Sequence, residues 1–122
     1  MIGYVTLGTN DIARAAKFYD ALLGSIGATR MMESDGFIAW STPGGGPALS
    51  VIKPFDKKPA TVGNGVMVAL AMDSKAKVDA FYKKAIELGA KDEGTPGPRG
   101  PGFYAGYFRD LDGNKLNAFF MG

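Results

Sequence analysis

A few carboxylates and one arginine are the groups with which this sequence could carry out chemistry. Glu33, Asp35 and Glu93 lie near predicted strands or turns, where a carboxylate could serve as an acid, a base or a metal ligand. Nothing in their spacing orients them toward one another. Arg99 lies within the glycine- and proline-rich residues 94–102, which we expect to form a long flexible loop. Its guanidinium is either a solvated charge or a group that meets an anionic ligand.

The 122 residues include neither cysteine nor histidine. Without cysteine, disulfides, thiolate nucleophiles and cysteine-ligated metal centres are excluded. Without histidine, the chain lacks the commonest metal ligand and the usual general base near neutral pH. Serine–histidine–aspartate and cysteine–histidine mechanisms are therefore impossible, and we assign no catalytic residue.

Two short motifs look like ion or phosphate sites but fit turns better. Residues 110–114 (Asp-Leu-Asp-Gly-Asn) lack the further acidic ligands of an EF-hand loop, so we predict a hairpin turn. Residues 43–47 (Pro-Gly-Gly-Gly-Pro) lack the Lys-Ser/Thr of a phosphate-binding loop and precede a strand, which again indicates a turn.

Composition indicates one ordinary globular domain over residues 1–122. Hydrophobic residues make up 46% of the chain, and 14 basic against 12 acidic residues leave a formal charge of +2. So small a positive charge gives no electrostatic reason to expect a nucleic-acid partner. No apolar stretch is long enough for a transmembrane helix, and no secretory signal is recognisable, so we expect a cytoplasmic protein with no membrane partner.

Hydrophobic periodicity divides the chain into two similar halves. Alternating residues predict strands, and apolar residues at helical spacing predict two helices, each after the first strand of its half. Phe18-Tyr19 in the first helix matches Phe81-Tyr82 in the second at an offset of 63 residues (18 to 81). We therefore predict two β-α-β-β-β repeats, with the second strand of the second repeat only weakly marked. The repeats cover residues 1–54 and 64–122, and the predicted strands are 2–8, 28–34, 37–42, 48–53, 65–72, 103–109 and 115–121.

This repeated unit resembles the vicinal oxygen chelate superfamily, which includes glyoxalase I, bleomycin-resistance proteins and extradiol dioxygenases. Residues 1–27 are similar to the family's opening strand and helix, residues 63–70 to the first strand of its second half, and residues 109–116 to its closing hairpin. The resemblance implies an α+β fold whose tandem modules form a curled, cup-shaped mixed sheet with the helices outside. It also implies a homodimer.

Metal-dependent members of the superfamily hold a divalent ion at four inward positions, and this chain departs from the family at all of them. The matching positions are Tyr4, Ser50, Met67 and Asn117. A phenol that titrates near pH ~10, a hydroxyl, a thioether and an amide are poor ligands for zinc, nickel or magnesium. We therefore expect neither a metal ion nor another cofactor.

The resemblance implies that the cup binds a small, partly apolar molecule, as bleomycin-resistance proteins do. Strand alternation leaves open whether Tyr104 and Phe108 or Phe103 and Tyr107 face the cup.

Two other hypotheses stay open: a lyase or dioxygenase whose metal is held by Glu33, Asp35, Asp110 or Asp112, and a partner domain with a vestigial pocket. The candidate ligand-binding residues are Tyr4, Thr6, Trp40, Ser50, Met67, Arg99, Tyr104, Tyr107, Asn117 and Phe119.

Overall fold

Eight strands and two helices follow one another in the order β-α-β-β-β, which occurs twice. The computed structural model describes residues 1–122, and the chain divides into two units, Met1–Val62 and Gly63–Gly122, which contain the first and second predicted repeats respectively. None of the helices is long and apolar enough to cross a membrane. The elements are β1 (Tyr4–Gly8), α1 (Ile12–Gly24), β2 (Thr29–Ser34), β3 (Phe37–Ser41), β4 (Ala48–Ile52), β5 (Val68–Ala71), α2 (Lys75–Glu87), β6 (Lys91–Pro98), β7 (Phe103–Arg109) and β8 (Lys115–Met121).

The first unit is a mixed four-stranded sheet with one helix against it. The strand order is β1-β4-β3-β2, in which β1 runs parallel to β4 and the other pairs are antiparallel. Helix α1 begins at Asp11, whose side chain accepts a hydrogen bond from the Arg14 amide and so satisfies one of the free N–H groups of the first turn. The helix packs its apolar stripe on one side of the sheet, where Leu22, Trp40 and Val51 are almost completely buried.

The second unit repeats this arrangement. Its strand order is β5-β8-β7-β6, with β5 parallel to β8. Ser74 caps α2 by accepting a hydrogen bond from the Lys77 amide. The core lies between α2 and the sheet, where the rings of Phe81 and Phe108 are 6.2 Å apart and both buried. In each unit the sheet therefore has a helix-covered face and a helix-free face.

The sequence prediction was wrong about residues 94–98. We expected a long loop over residues 94–102, but Lys91–Pro98 is a strand that pairs with β7. Glycines and prolines are tolerated because β6 is the edge strand of its sheet and its register shifts at Gly94 and Gly97. The weakly marked second strand of the second repeat is thus present, and both units have the same topology.

Two further strands differ from a regular alternating pattern: β5 in the residue at which it begins, and β2 in its pairing with β3. Strand β5 begins at Val68 rather than residue 65, because residues 63–66 form a turn in which the Val66 amide donates to the Gly63 carbonyl. In β2 the pairing with β3 shifts between Arg30 and Met32, which leaves Met31 at a bulge with more than half of its surface exposed.

Candidate functional site

The helix-free face of the second unit carries a buried amide among aromatic rings. Asn117 lies between Ala69 on β5 and Tyr107 on β7, and it is only 2% exposed. Its Oδ1 atom has no hydrogen-bond partner. Two residues further along β8, the ring of Phe119 stacks on Phe103 with 5.5 Å between centroids. An acceptor that is both buried and unpaired costs free energy, so such an atom is a candidate contact for a bound donor.

Two cations lie over one ring on this face. The guanidinium carbon of Arg99 is 5.4 Å from the centroid of the Tyr107 ring, and the Lys115 ammonium is 5.5 Å from it. Arg99 also donates hydrogen bonds from Nη2 to the Thr95 carbonyl at 2.7 Å and from Nη1 to the Pro98 carbonyl at 3.3 Å. Arg99 was expected in a long flexible loop, but it lies in the tight β6–β7 turn, where its amide donates to the Phe103 carbonyl.

The structure decides which aromatic pair of β7 shares a face with Asn117. Phe103 and Tyr107 lie on the helix-free face, whereas Tyr104 and Phe108 point toward α2. The Tyr104 hydroxyl donates to Asp79 Oδ1 of α2 at 2.6 Å, and this hydrogen bond raises the pKa of Tyr104. Tyr104 therefore stabilises the helix-covered side, and its placement among the cup-facing residues is corrected.

Trp40 also lies on the helix-covered side, in the first unit. Its ring is 1% exposed and packs against Tyr19 of α1 with 5.7 Å between centroids. Its indole N–H donates to Asp20 Oδ1 at 2.8 Å. Strand parity places Trp40 on the same side as Leu49, its partner in register, and so on the opposite face from Ser50. The expectation that Trp40 lines a ligand cup is corrected for this reason.

The helix-free face of the first unit has a second unpaired polar atom. Ser50 lies between Thr6 of β1 and Ala39 of β3, is fully buried, and its Oγ atom has no partner. Tyr4 and Phe37 lie on the same face and contact each other edge to face at 6.2 Å between centroids. Tyr4 and Thr6 are exposed in this sheet, so the face combines hydroxyl groups with accessible ring surface.

Met67 precedes β5 rather than lying within it. The pairing of β5 with β8 begins at Val68, and the Met67 side chain is 39% exposed. Met67 was matched to the same set of family positions as Asn117, but the β5–β8 pairing that holds Asn117 does not extend back to residue 67. Lys115 and Phe103 were not assigned to the site, although the alternation along β7 and β8 marks both for the face that carries Asn117.

Two of the four carboxylates proposed as alternative metal ligands, Glu33 and Asp110, have partners within the chain. Glu33 pairs with Arg30, and Glu93 pairs with Arg109 at 2.9 Å. Asp110 is buried and accepts hydrogen bonds from the amides of Asp112 and Asn114, which confirms the predicted hairpin turn at residues 110–114. No three acidic side chains come together in an arrangement that could hold a metal ion.

Comparison with known proteins identifies the family. The model of the Glyoxalase/Bleomycin resistance protein/Dioxygenase superfamily matches residues 1–118. This chain belongs to that superfamily. A glyoxalase/bleomycin resistance protein from Albidiferax ferrireducens T118 is 34% identical, with a TM-score of 0.90 over 100% of this chain and 99% of that one.

More distant structures share the fold. A glyoxalase/bleomycin resistance protein/dioxygenase family enzyme from Burkholderia phytofirmans PsJN is 18% identical, with a TM-score of 0.79 over 98% of each chain. A lactoylglutathione lyase from Agrobacterium tumefaciens is 21% identical, with a TM-score of 0.73 over 98% of this chain and 92% of that one. No curated protein matches the sequence.

The four residues that the sequence comparison matched to the family's metal positions supply donors that do not fit a divalent ion. Ser50 and Asn117 supply neutral oxygens, the exposed Tyr4 ring supplies a phenol, and Met67 supplies a thioether. None of the four is a carboxylate or an imidazole, and hard divalent ions require anionic or carbonyl oxygens in greater number. The donor set therefore gives no basis for a metal-dependent step.

Proposed function

We propose that this chain is a binding protein that holds a small, partly apolar molecule without a metal ion. The observation that carries the proposal is the buried, unpaired Oδ1 atom of Asn117 on a face lined with aromatic rings. Ligand pockets of proteins typically combine apolar and aromatic walls with a few well-placed polar groups. A ligand N–H or O–H that reaches this atom supplies a hydrogen bond that no group of the chain supplies.

The charges on the same face favour a ligand with an anionic or electron-rich part. Arg99 and Lys115 both lie within 6 Å of the Tyr107 ring centre. The guanidinium of Arg99 uses Nη1 and Nη2 for carbonyl groups, and its plane remains a surface on which a flat ligand can stack. The ligand class supported is therefore a flat molecule with one hydrogen-bond donor and one acidic group.

The substitution Asn117→Leu separates binding from folding. It removes the unpaired acceptor and keeps a side chain of similar size, so we expect the free energy of unfolding to rise by about 1 kcal/mol. Ligands found by a thermal-shift screen of aromatic carboxylic acids on the wild-type protein should lose at least about tenfold in affinity, the effect of ~1.4 kcal/mol.

Asn64→Leu is the matched control, because Asn64 is exposed in the turn before β5. It should leave the affinity for the same ligands unchanged. The proposal fails if Asn117→Leu binds the ligands of the wild-type protein equally well in calorimetric titrations.

A further inference from the structure

A second candidate binding surface lies on the first unit, in a groove between the turn that precedes α1, the β2–β3 hairpin and the connector that follows β4. Residues 54–60 fold back over the start of α1, where Asn10 Oδ1 accepts a hydrogen bond from the Ala60 amide at 2.6 Å and Asn10 Nδ2 donates to the Ala60 carbonyl at 3.3 Å. A side chain at Gly8 would come within 3.0 Å of Ala60, so this close approach requires glycine. The groove has a volume of about 670 Å³, which lies in the range of small-molecule sites.

The charge of this groove is positive. Its lining includes three lysines, Lys53, Lys57 and Lys58, against one acidic residue, Asp35. Three positive charges against one negative charge give a net charge of +2, as large as that of the whole chain. None of the three ammonium groups forms an ion pair within the chain. We call this surface the lysine groove; an anion is the ligand that complements it.

An exposed phenyl ring also lines the lysine groove. Phe55 lies between the lysines in sequence and is 99% exposed, the largest exposed fraction of any aromatic residue. The half-buried ring of Phe37 also lines the groove. A solvent-exposed phenyl ring can bind a flat ring system by stacking, and the ammonium groups of lysines bind phosphate groups as point charges.

The backbone of the connector holds Lys57 in an unusual conformation. Lys57 is the only residue other than glycine with a positive φ, at 65°. The turn is closed by a hydrogen bond from the Lys57 amide to the Pro54 carbonyl, and the Lys58 amide donates to Asp56 Oδ1 at 2.9 Å. Glycine would adopt this conformation more readily, so a lysine at this position raises the conformational energy of the backbone.

We propose that the lysine groove binds an anionic small molecule with a flat ring system, of the chemical class of a nucleoside monophosphate. Its phosphate contacts Lys57 and Lys58, and its ring stacks on Phe55. This proposal is independent of the function proposed above, because it concerns the first unit and shares no residue with the face around Asn117.

Adenosine 5′-monophosphate, adenosine and inorganic phosphate are the probes that test it. In amide NMR titrations of the full chain, adenosine monophosphate should shift the signals of residues 53–58 and bind at least about tenfold more tightly than either adenosine or phosphate, since it uses both contacts. Phe55→Ala should weaken adenosine monophosphate about fivefold or more and leave phosphate binding unchanged. Lys57→Gly removes a charge without adding strain, so it should fold and weaken both phosphate-containing probes.

Lys83→Ala is the control, since Lys83 is an exposed lysine on α2 and its loss changes the net charge equally. The proposal is overturned if adenosine monophosphate leaves residues 53–58 unshifted. Equal affinities for adenosine monophosphate and phosphate, or an equal effect of Lys83→Ala and Lys57→Gly, overturn it as well. If Phe55→Ala instead dissociates an oligomer observed by sedimentation and no probe binds, the groove is an interface between copies and the small-molecule proposal is wrong.

Discussion

At the scale of single residues, Asp20 connects the surface of the first unit to its core. It accepts hydrogen bonds from the Trp40 indole at 2.8 Å and from Arg30 Nε and Nη2 at 2.9 and 2.7 Å. The hydrogen bond from Arg30 is the main cause that lowers the pKa of Asp20 below its usual value, and the bond from Trp40 adds to it. One carboxylate thus holds the only tryptophan of the chain and the edge strand β2 together.

The lowered pKa of Asp20 predicts how the stability of the first unit depends on pH. A depressed carboxyl pKa contributes stability that is fully present above the unfolded value of about 3.9 and is lost as pH falls through the folded value. The free energy of unfolding should therefore decrease as pH falls below about 4, with Trp40 fluorescence as the readout. In the Asp20→Asn variant, the share of this loss of stability that protonation of Asp20 causes should be absent. A loss of the same size in the variant as in the wild-type protein would show that other carboxylates cause it.

At the scale of elements, β6 lies so close to β7 that an added side chain at Gly94 would press on its neighbours. A side chain at Gly94 would lie 3.2 Å from Arg99 Nη2 and 3.3 Å from Tyr107 Cδ1, and the φ of Gly94 is 153°. Gly94→Ala should lower the free energy of unfolding by about 1–3 kcal/mol in chemical denaturation, because it adds backbone strain to a steric conflict. Gly3→Ala, with nothing within 4 Å and no positive φ, should stay within about 0.5 kcal/mol of the wild-type protein.

Local strand alternation could be predicted from the sequence, whereas features that depend on contacts between distant residues could not. Alternation along β8 placed Asn117 and Phe119 on one face, and the structure confirms it, because strand parity is a local property of the chain. The second strand of the second repeat was predicted only from the repeat and not placed at Lys91–Pro98, since its glycines and prolines are disfavoured in strands and only the pairing with β7 and the edge position accommodate them. The side on which Trp40 packs depends on tertiary contact with Tyr19, which no local pattern encodes.

At the scale of the whole molecule, the chain keeps the superfamily's repeated architecture, and the four residues that we matched to its metal positions include no carboxylate and no imidazole. We therefore expect elemental analysis of tag-free protein to find no divalent metal in stoichiometric amount, since Tyr4, Ser50, Met67 and Asn117 offer no anionic ligand near neutral pH. Prolonged incubation with zinc or nickel followed by dialysis should give the same result. One bound ion per chain would restore the hypothesis of a metal-dependent enzyme with carboxylate ligands.

The exposed bulge at Met31 has a consequence for sulfur chemistry. Because the chain has no cysteine, its six methionines are its only sulfur atoms, and none of them is among the buried core residues. Oxidation to methionine sulfoxide disrupts proteins mainly where the side chain fills a core. In this molecule oxidation would add oxygen at solvent-accessible positions such as Met31 and Met32 on β2. Oxidants would therefore make the edge of the first unit more polar, while no methionine fills either core.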